Sequence, residues 1–180
     1  MKLTATLAAA AGMVATAQAQ YFSVVAARSA SPIHLLPLEA RGERIYIGGT
    51  SAHYCPPVAA PSCPNTTETN FAGGNGELFM GTEVPGGQMV YIDATCGALT
   101  YTTPHSAFEP NGSISTGWTL DQLSQYGTLA YQDGLLACNQ TVGGDYQVYA
   151  VVNGTTPPGD CLGFDALTSN QTKPAAWEYT

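Results

Sequence analysis

Turn-forming residues recur along this chain at intervals too short for helices. "PPVAAPSCPN" (56–65), "FAGGNG" (71–76), "TEVPGG" (82–87), "TVGGD" (141–145) and "NGTTPPGD" (153–160) are rich in Gly, Pro, Asn and Asp. Such clusters mark turns, and their close spacing predicts many short antiparallel strands. Between them the apolar residues repeat with a period of two. Arg44-Ile45-Tyr46-Ile47, Met89-Val90-Tyr91-Ile92 and Val148-Tyr149-Ala150-Val151-Val152 are β-branched and aromatic, as strands prefer. The stretch "TLDQLSQYG" (119–127) has room for one helical turn at most.

Two echoes refine this expectation. Gly76–Met80, Gly97–Tyr101 and Gly127–Tyr131 share a Gly-x-apolar-x-apolar pattern, a turn glycine followed by a half-buried strand. The last two follow runs ending in Asp93 and Asp121, so each reads as the second arm of a hairpin. The segments 21–40 and 146–167 also resemble one another: strand, polar loop with proline, strand. On that analogy "RSASPI" (28–33) is a connection and "HLLPLEA" (34–40) its returning strand, with Pro32 near the strand start. His34 and Leu36 then share one face, Ile33 and Leu35 the other. The predicted fold is a single all-β domain, an antiparallel sandwich or barrel, with a β-trefoil as the alternative. The uneven offsets of the Gly-x-apolar repeats rank the trefoil second.

The first 19 residues are read apart from the fold. Lys2 precedes an apolar run that ends in Ala17-Gln18-Ala19, an A-x-A cleavage pattern. Residues 1–19 are therefore expected to be a secretory signal, and 20–180 the mature domain. The run is too short for a membrane span, and the polar C-terminus carries no lipid-anchor signal. Without Lys2, four cationic residues face 13 acids, a net charge of −9. Nucleic acid and anionic membrane are thus not expected as partners. Only 10% of residues are charged, against a usual ~25%; hydroxyl and amide side chains solvate the surface instead.

Export fits two further features. Asn65, Asn111, Asn139, Asn153 and Asn170 each open an N-x-[ST] sequon. Seven asparagines in a chain this rich in Ser and Thr would give about one by chance. A glycan needs solvent, so each occupied site is expected on an exposed loop. The five cysteines, in an exported chain, read as disulfides rather than metal ligands. Cys138–Cys161 is the first expected pair, closing a loop of about 24 residues worth ~3 kcal/mol. The second is Cys55–Cys63 or Cys63–Cys96, and one thiol is left over, free or bonded to another molecule.

No catalytic signature emerges. Ser29 or Ser31 with His34 lacks an orienting third group, and there is no G-x-S-x-G elbow. His53 and His105 stand in no metal-ligand spacing. Acids such as Asp133, Asp145 and Asp160 fall in turn contexts and read as solvated. No metal, cofactor or catalytic residue is expected. Trp177 and Trp118 offer flat faces that could stack on sugar rings, although Trp118 after Gly117 also reads as a core anchor.

Several of these segments carry a family resemblance. Phe22 with "VVAARSASPIH", then "VYID", "GWTLD", "LLACN", "YQVYA" and "DCLGF", resembles the fungal phialide cell-wall proteins (PhiA) in the same order over most of the mature chain. The stretch from Gly117 to Phe164 is more distantly similar to the C-terminal domain of Pir-type cell-wall proteins, where paired cysteines flank an aromatic strand. The resemblance implies a secreted, N-glycosylated structural or surface protein of the fungal wall, tied to phialide and conidium development, with allergens among its members. It assigns no catalytic residues. Members usually show a cysteine near the C-terminus, where this chain has Trp177. The implied partners are wall polysaccharides, β-glucan or chitin, or an intermolecular disulfide through the odd cysteine. A secreted carbohydrate-binding, lectin-like module or effector is the alternative.

Overall fold

The computed structural model describes residues 20–64, 66–106, 108–139 and 145–180. The expected signal segment and the Asn65 sequon lie outside these residues. The described chain is all-β. Its strands are β1 (Tyr21–Ala27), β2 (Leu38–Arg41), β3 (Arg44–Ile47), β4 (His53–Tyr54), β5 (Asn70–Met80), β6 (Met89–Ile92), β7 (Leu99–Tyr101), β8 (Thr116–Gln122), β9 (Tyr126–Tyr131), β10 (Leu135–Asn139), β11 (Tyr146–Ala150), β12 (Cys161–Gln171) and β13 (Glu178–Tyr179).

All strand pairings are antiparallel, and eleven strands join one sheet. Followed strand to strand, the pairing runs β1-β12-β10-β11-β3-β7-β6-β5 and returns to β1. A smaller circuit leaves through β5-β8-β9 and rejoins at β12. The two 11-residue strands make this possible by changing partners along their length. β12 pairs with β10 through residues 161–164 and with β9 through 166–169, while β1 runs beside it from 165 to 171. The pairing order contains no threefold repeat, which removes the trefoil alternative.

Alternation drives the packing. In β1, Phe22, Val24 and Ala26 are buried and their neighbours are not; in β12, Phe164, Ala166 and Thr168 are buried. Side chains at every second position meet inside one core, where Phe22 stacks on Phe71 at 6.2 Å and Trp118 tilts over Tyr131 at 5.2 Å. The opposite face of β10 and β11 has a small core of its own, formed by Ala98, Cys138 and Tyr149.

Two local expectations are corrected. The segment 119–127 holds no helical turn: Leu120–Gln122 finish β8, and Tyr126 opens β9. Gly127 is needed there because a Cβ would run into the carbonyl of Asp121. The returning strand also starts later than position 34. Residues 32–35 form a turn, Leu35 takes a left-handed φ of 60°, and pairing begins at Pro37 opposite Val25. Ile33 is buried while Leu35 is 58% exposed, so the predicted face shared by those two residues does not exist. Two backbone bonds, Leu35 N–H to Ala26 O and Ala26 N–H to Leu36 O, satisfy this turn in place of a ladder.

Candidate functional site

Where β12 exchanges β10 for β9, the two strands on its flank separate and a groove opens between them. The turn Gln132–Gly134 that links β9 to β10 forms its rim. The larger part, about 520 Å³, is lined by Arg28, Ser29, His34, Asp133 and Asp165 over a floor that includes Leu135 and Phe164. A second part of about 300 Å³ shares Gly134, Leu135, Phe164 and Asp165 and extends toward Thr128 and Leu167. The groove therefore gathers the 28–34 turn, the β9–β10 turn and the outward face of β12.

Its polar groups have defined roles. The Arg28 guanidinium donates to Gly163 O at 2.6 Å, which pins it beside β12. The backbone N–H of Arg28 donates to His34 Nδ1 at 3.2 Å. A neutral imidazole that accepts at Nδ1 carries its proton on Nε2. His34 therefore offers an N–H donor, not the Nε2 lone pair that would take a proton from a serine hydroxyl. Ser31 Oγ is turned to the backbone N–H of Ile33 at 3.4 Å, while Ser29 stands on the groove wall. Arg28, His34 and Ser29 supply donors, and Asp133 and Asp165 supply acceptors. Among the described residues the ion pair is Arg41–Asp145 at 3.5 Å, and Arg28, Asp133 and Asp165 take part in none.

The sulfur atoms are placed as follows. Cys138 and Cys161 face each other across β10 and β12 and are joined, with Cα atoms 4.0 Å apart. Cys55 is joined to Cys63. Cys96 is the unpaired, half-buried thiol, packed against the small core that contains Cys138 and Tyr149. Its neighbour Asp93 is held below the usual carboxylate range, first by the Thr95 hydroxyl and then by the Thr95 N–H, with a smaller contribution from the Cys96 thiol.

The remaining sequence candidates divide. Asn111 and Asn153 are exposed in turns. Asn139 is half-buried at the end of β10, opposite Tyr146. Asn170 lies within β12, where its Nδ2, the atom a glycan would occupy, donates to Ser124 O and its Oδ1 accepts from Gln20. An exposed loop, expected of every occupied sequon, is thus found at two of the four described positions. Trp118 is 3% exposed and belongs to the core, so it presents no sugar-stacking face; Trp177 is half-buried. The large exposed aromatics among the described residues are instead Tyr54, Phe108 and Tyr126, with Tyr126 two positions along β9 from the groove. No group of three His, Cys, Asp or Glu side chains that could hold a metal stands among the described residues. His53 lies in β4 and His105 in an exposed turn.

A family model described as PhiA-like secreted protein matches residues 22–180. An uncharacterized secreted protein of Arthroderma benhamiae is 35% identical over 156 residues, covering 81% of this chain and 78% of the relative. The cell wall protein phiA of Emericella nidulans is 28% identical over 193 aligned positions, covering 100% of both chains. No solved structure matches the chain.

Proposed function

The chain belongs to the PhiA-like secreted protein family, and from that membership we propose that it acts at the fungal cell wall as a non-catalytic surface glycoprotein whose β12 groove holds a neutral wall polysaccharide. The wall setting draws on the name of the Emericella nidulans relative, and the developmental setting, phialide and conidium formation, on the resemblance read in the sequence.

One observation carries the binding reading: the groove is lined by His34 and Arg28 together with the carboxylates of Asp133 and Asp165 over an apolar floor. Sugar hydroxyls both donate and accept, so a wall with both kinds of partner suits them. The hydrogen bond from Arg28 N–H to His34 Nδ1 argues against hydrolysis by Ser29, because it occupies the basic nitrogen of the neutral imidazole. The surface role is supported by the pairing circuit and two disulfides, which make a rigid unit outside the cell.

Sedimentation with insoluble β-glucan and chitin tests the groove. The mature protein is expected to pellet with one of them, and Asp165→Asn to weaken that binding by about tenfold, as loss of a charged hydrogen bond would. Equal pelleting of wild type and Asp165→Asn removes the groove from the reading. Retention is tested separately by extracting walls in hot detergent with and without reductant. Release only with reductant supports a tether through Cys96.

A further inference from the structure

A second, separate cleft lies on the far side of β1, where β2 and the segment before β5 approach the end of β12. Its wall includes Ser23, Pro37, Glu39, Glu68, Thr69 and Gln171, around a volume of about 280 Å³. An adjoining cleft of about 170 Å³ shares Glu68 and Gln171 and adds Asn70 and Lys173.

Glu39 is the unusual member. It is 2% exposed, in a strand whose neighbours Leu38 and Ala40 are core residues. Thr69 donates its hydroxyl to Glu39 Oε2 at 2.9 Å and accepts the N–H of Ala40 at 2.8 Å, which fixes the carboxyl. Among the described residues no cation lies within ion-pair distance of Glu39 or Glu68. Arg41, the nearest positive influence, is committed elsewhere: to Asp145 at 3.5 Å, to Gly48 O at 3.1 Å and over the Tyr46 ring at 4.1 Å. Burial pushes the Glu39 carboxyl up to about 7, and the charge of Glu68 adds to the rise while Thr69 and Arg41 oppose it. The Tyr179 phenol also feels Glu39, and burial holds it well above its usual range. Asn70, which lines the adjoining cleft together with Lys173, has a buried Oδ1 with no hydrogen-bond partner. A buried acceptor left without a donor costs stability, so such atoms call for an explanation.

We propose that this cleft binds the primary ammonium of an amino-sugar unit, with Glu39 at its base and Glu68 at its rim as counter-charges. Every unmet requirement here is for a positive donor. The two carboxyls of this cleft lack a cation, and in the adjoining cleft an amide oxygen lacks a hydrogen. Ser23 and Gln171, hydrogen-bonded to each other at 3.1 Å, supply the remaining hydroxyl and amide partners for ring hydroxyls, and Pro37 and Val25 cover an apolar ring face. The net charge of −9 on residues 20–180 draws a cationic ligand toward the protein. Lys173 lines only the adjoining cleft, so the cationic end is directed to Glu39. The step is a proton balance: neutral Glu39 ionises against the arriving ammonium, and its proton passes to buffer. The site does not depend on the β12 groove taking a glycan.

Calorimetry on the mature, disulfide-intact protein tests this, at about pH 6 and in two buffers of different ionisation enthalpy. The probes are the tetramers of glucosamine and of N-acetylglucosamine. Glucosamine tetramer is expected to bind and release close to one proton, with the acetylated tetramer weaker by about tenfold or more. Glu39→Gln, matched in shape, is expected to lose about tenfold in affinity together with the proton release, and Glu68→Gln, at the exposed rim, severalfold in affinity alone. Asp165→Asn is expected to leave both unchanged. Equal binding of the two tetramers, or unaltered affinity in both glutamate variants, overturns the proposal. Free glucosamine appearing during the incubation overturns it also, since the pair would then be a hydrolytic one.

Discussion

The Tyr179 hydroxyl sits between two backbone groups of one strand entry: it accepts the N–H of Asn70 at 3.0 Å and donates to Glu68 O at 3.2 Å. Next to the last residue in the chain thus secures the start of β5, more than 100 positions earlier. Gln88 reinforces the contact through Tyr179 N and O, and Tyr101 meets the Tyr179 ring edge-on at 6.5 Å. Tyr179→Phe keeps the packing and leaves Asn70 N–H buried without a partner. The expected loss is about 1–3 kcal/mol in urea unfolding, with an unchanged m-value.

Glu39 makes stability depend on pH in a predictable direction. Its folded-state value, about 7, lies above its ordinary 4.5, so the folded protein holds this proton more tightly than the unfolded chain. The contribution is complete below about pH 4.5 and is lost as pH rises through about 7, for a total of at most ~3 kcal/mol. Thermal unfolding between these values should show a midpoint that falls with rising pH. Glu39→Gln should flatten that slope.

The two disulfides should differ in their effect. Cys138–Cys161 has a sequence separation of 23 and Cys55–Cys63 of 8. Chain entropy alone gives about 3 kcal/mol for the longer loop and about 2.5 kcal/mol for the shorter. Cys138 is fully buried, so its replacement also disturbs the small core around Tyr149. The paired alanine variant at 138 and 161 should therefore lose more in guanidinium unfolding than the pair at 55 and 63.

Glycan occupancy should follow exposure. Mass spectrometry of peptides from secreted protein is expected to find Asn111 and Asn153 modified and Asn170 bare, because the Asn170 amide is held by Ser124. A glycan on Asn170 in the folded protein would require that edge of β12 to open.

Much of the sheet was legible beforehand. β3 and β6 coincide with runs named from alternation, and the expected hairpins ending in Leu99–Tyr101 and Gly127–Tyr131 are formed, although β7 is buried at all three residues rather than on one face. The 28–37 segment was not, because Leu35 takes a left-handed backbone that no residue type there advertises. The groove was hidden for a related reason. Asp133 and Asp165 look like ordinary solvated acids along the chain, and only the change of partner along β12 brings them to Arg28 and His34. Glu39 left one usable signal, a lone acid within "LLPLEA", an otherwise apolar stretch. Its partner Thr69 comes from 30 positions away, which no local pattern reports.

Strand ends that lack neighbours recruit other chains, and this protein has few to offer. Among the described residues its hydrogen-bonding ladder returns on itself, with the four-residue β2 and the two-residue pair of β4 and β13 lying off the circuit. Edges this short give a neighbouring molecule little backbone on which to add a strand.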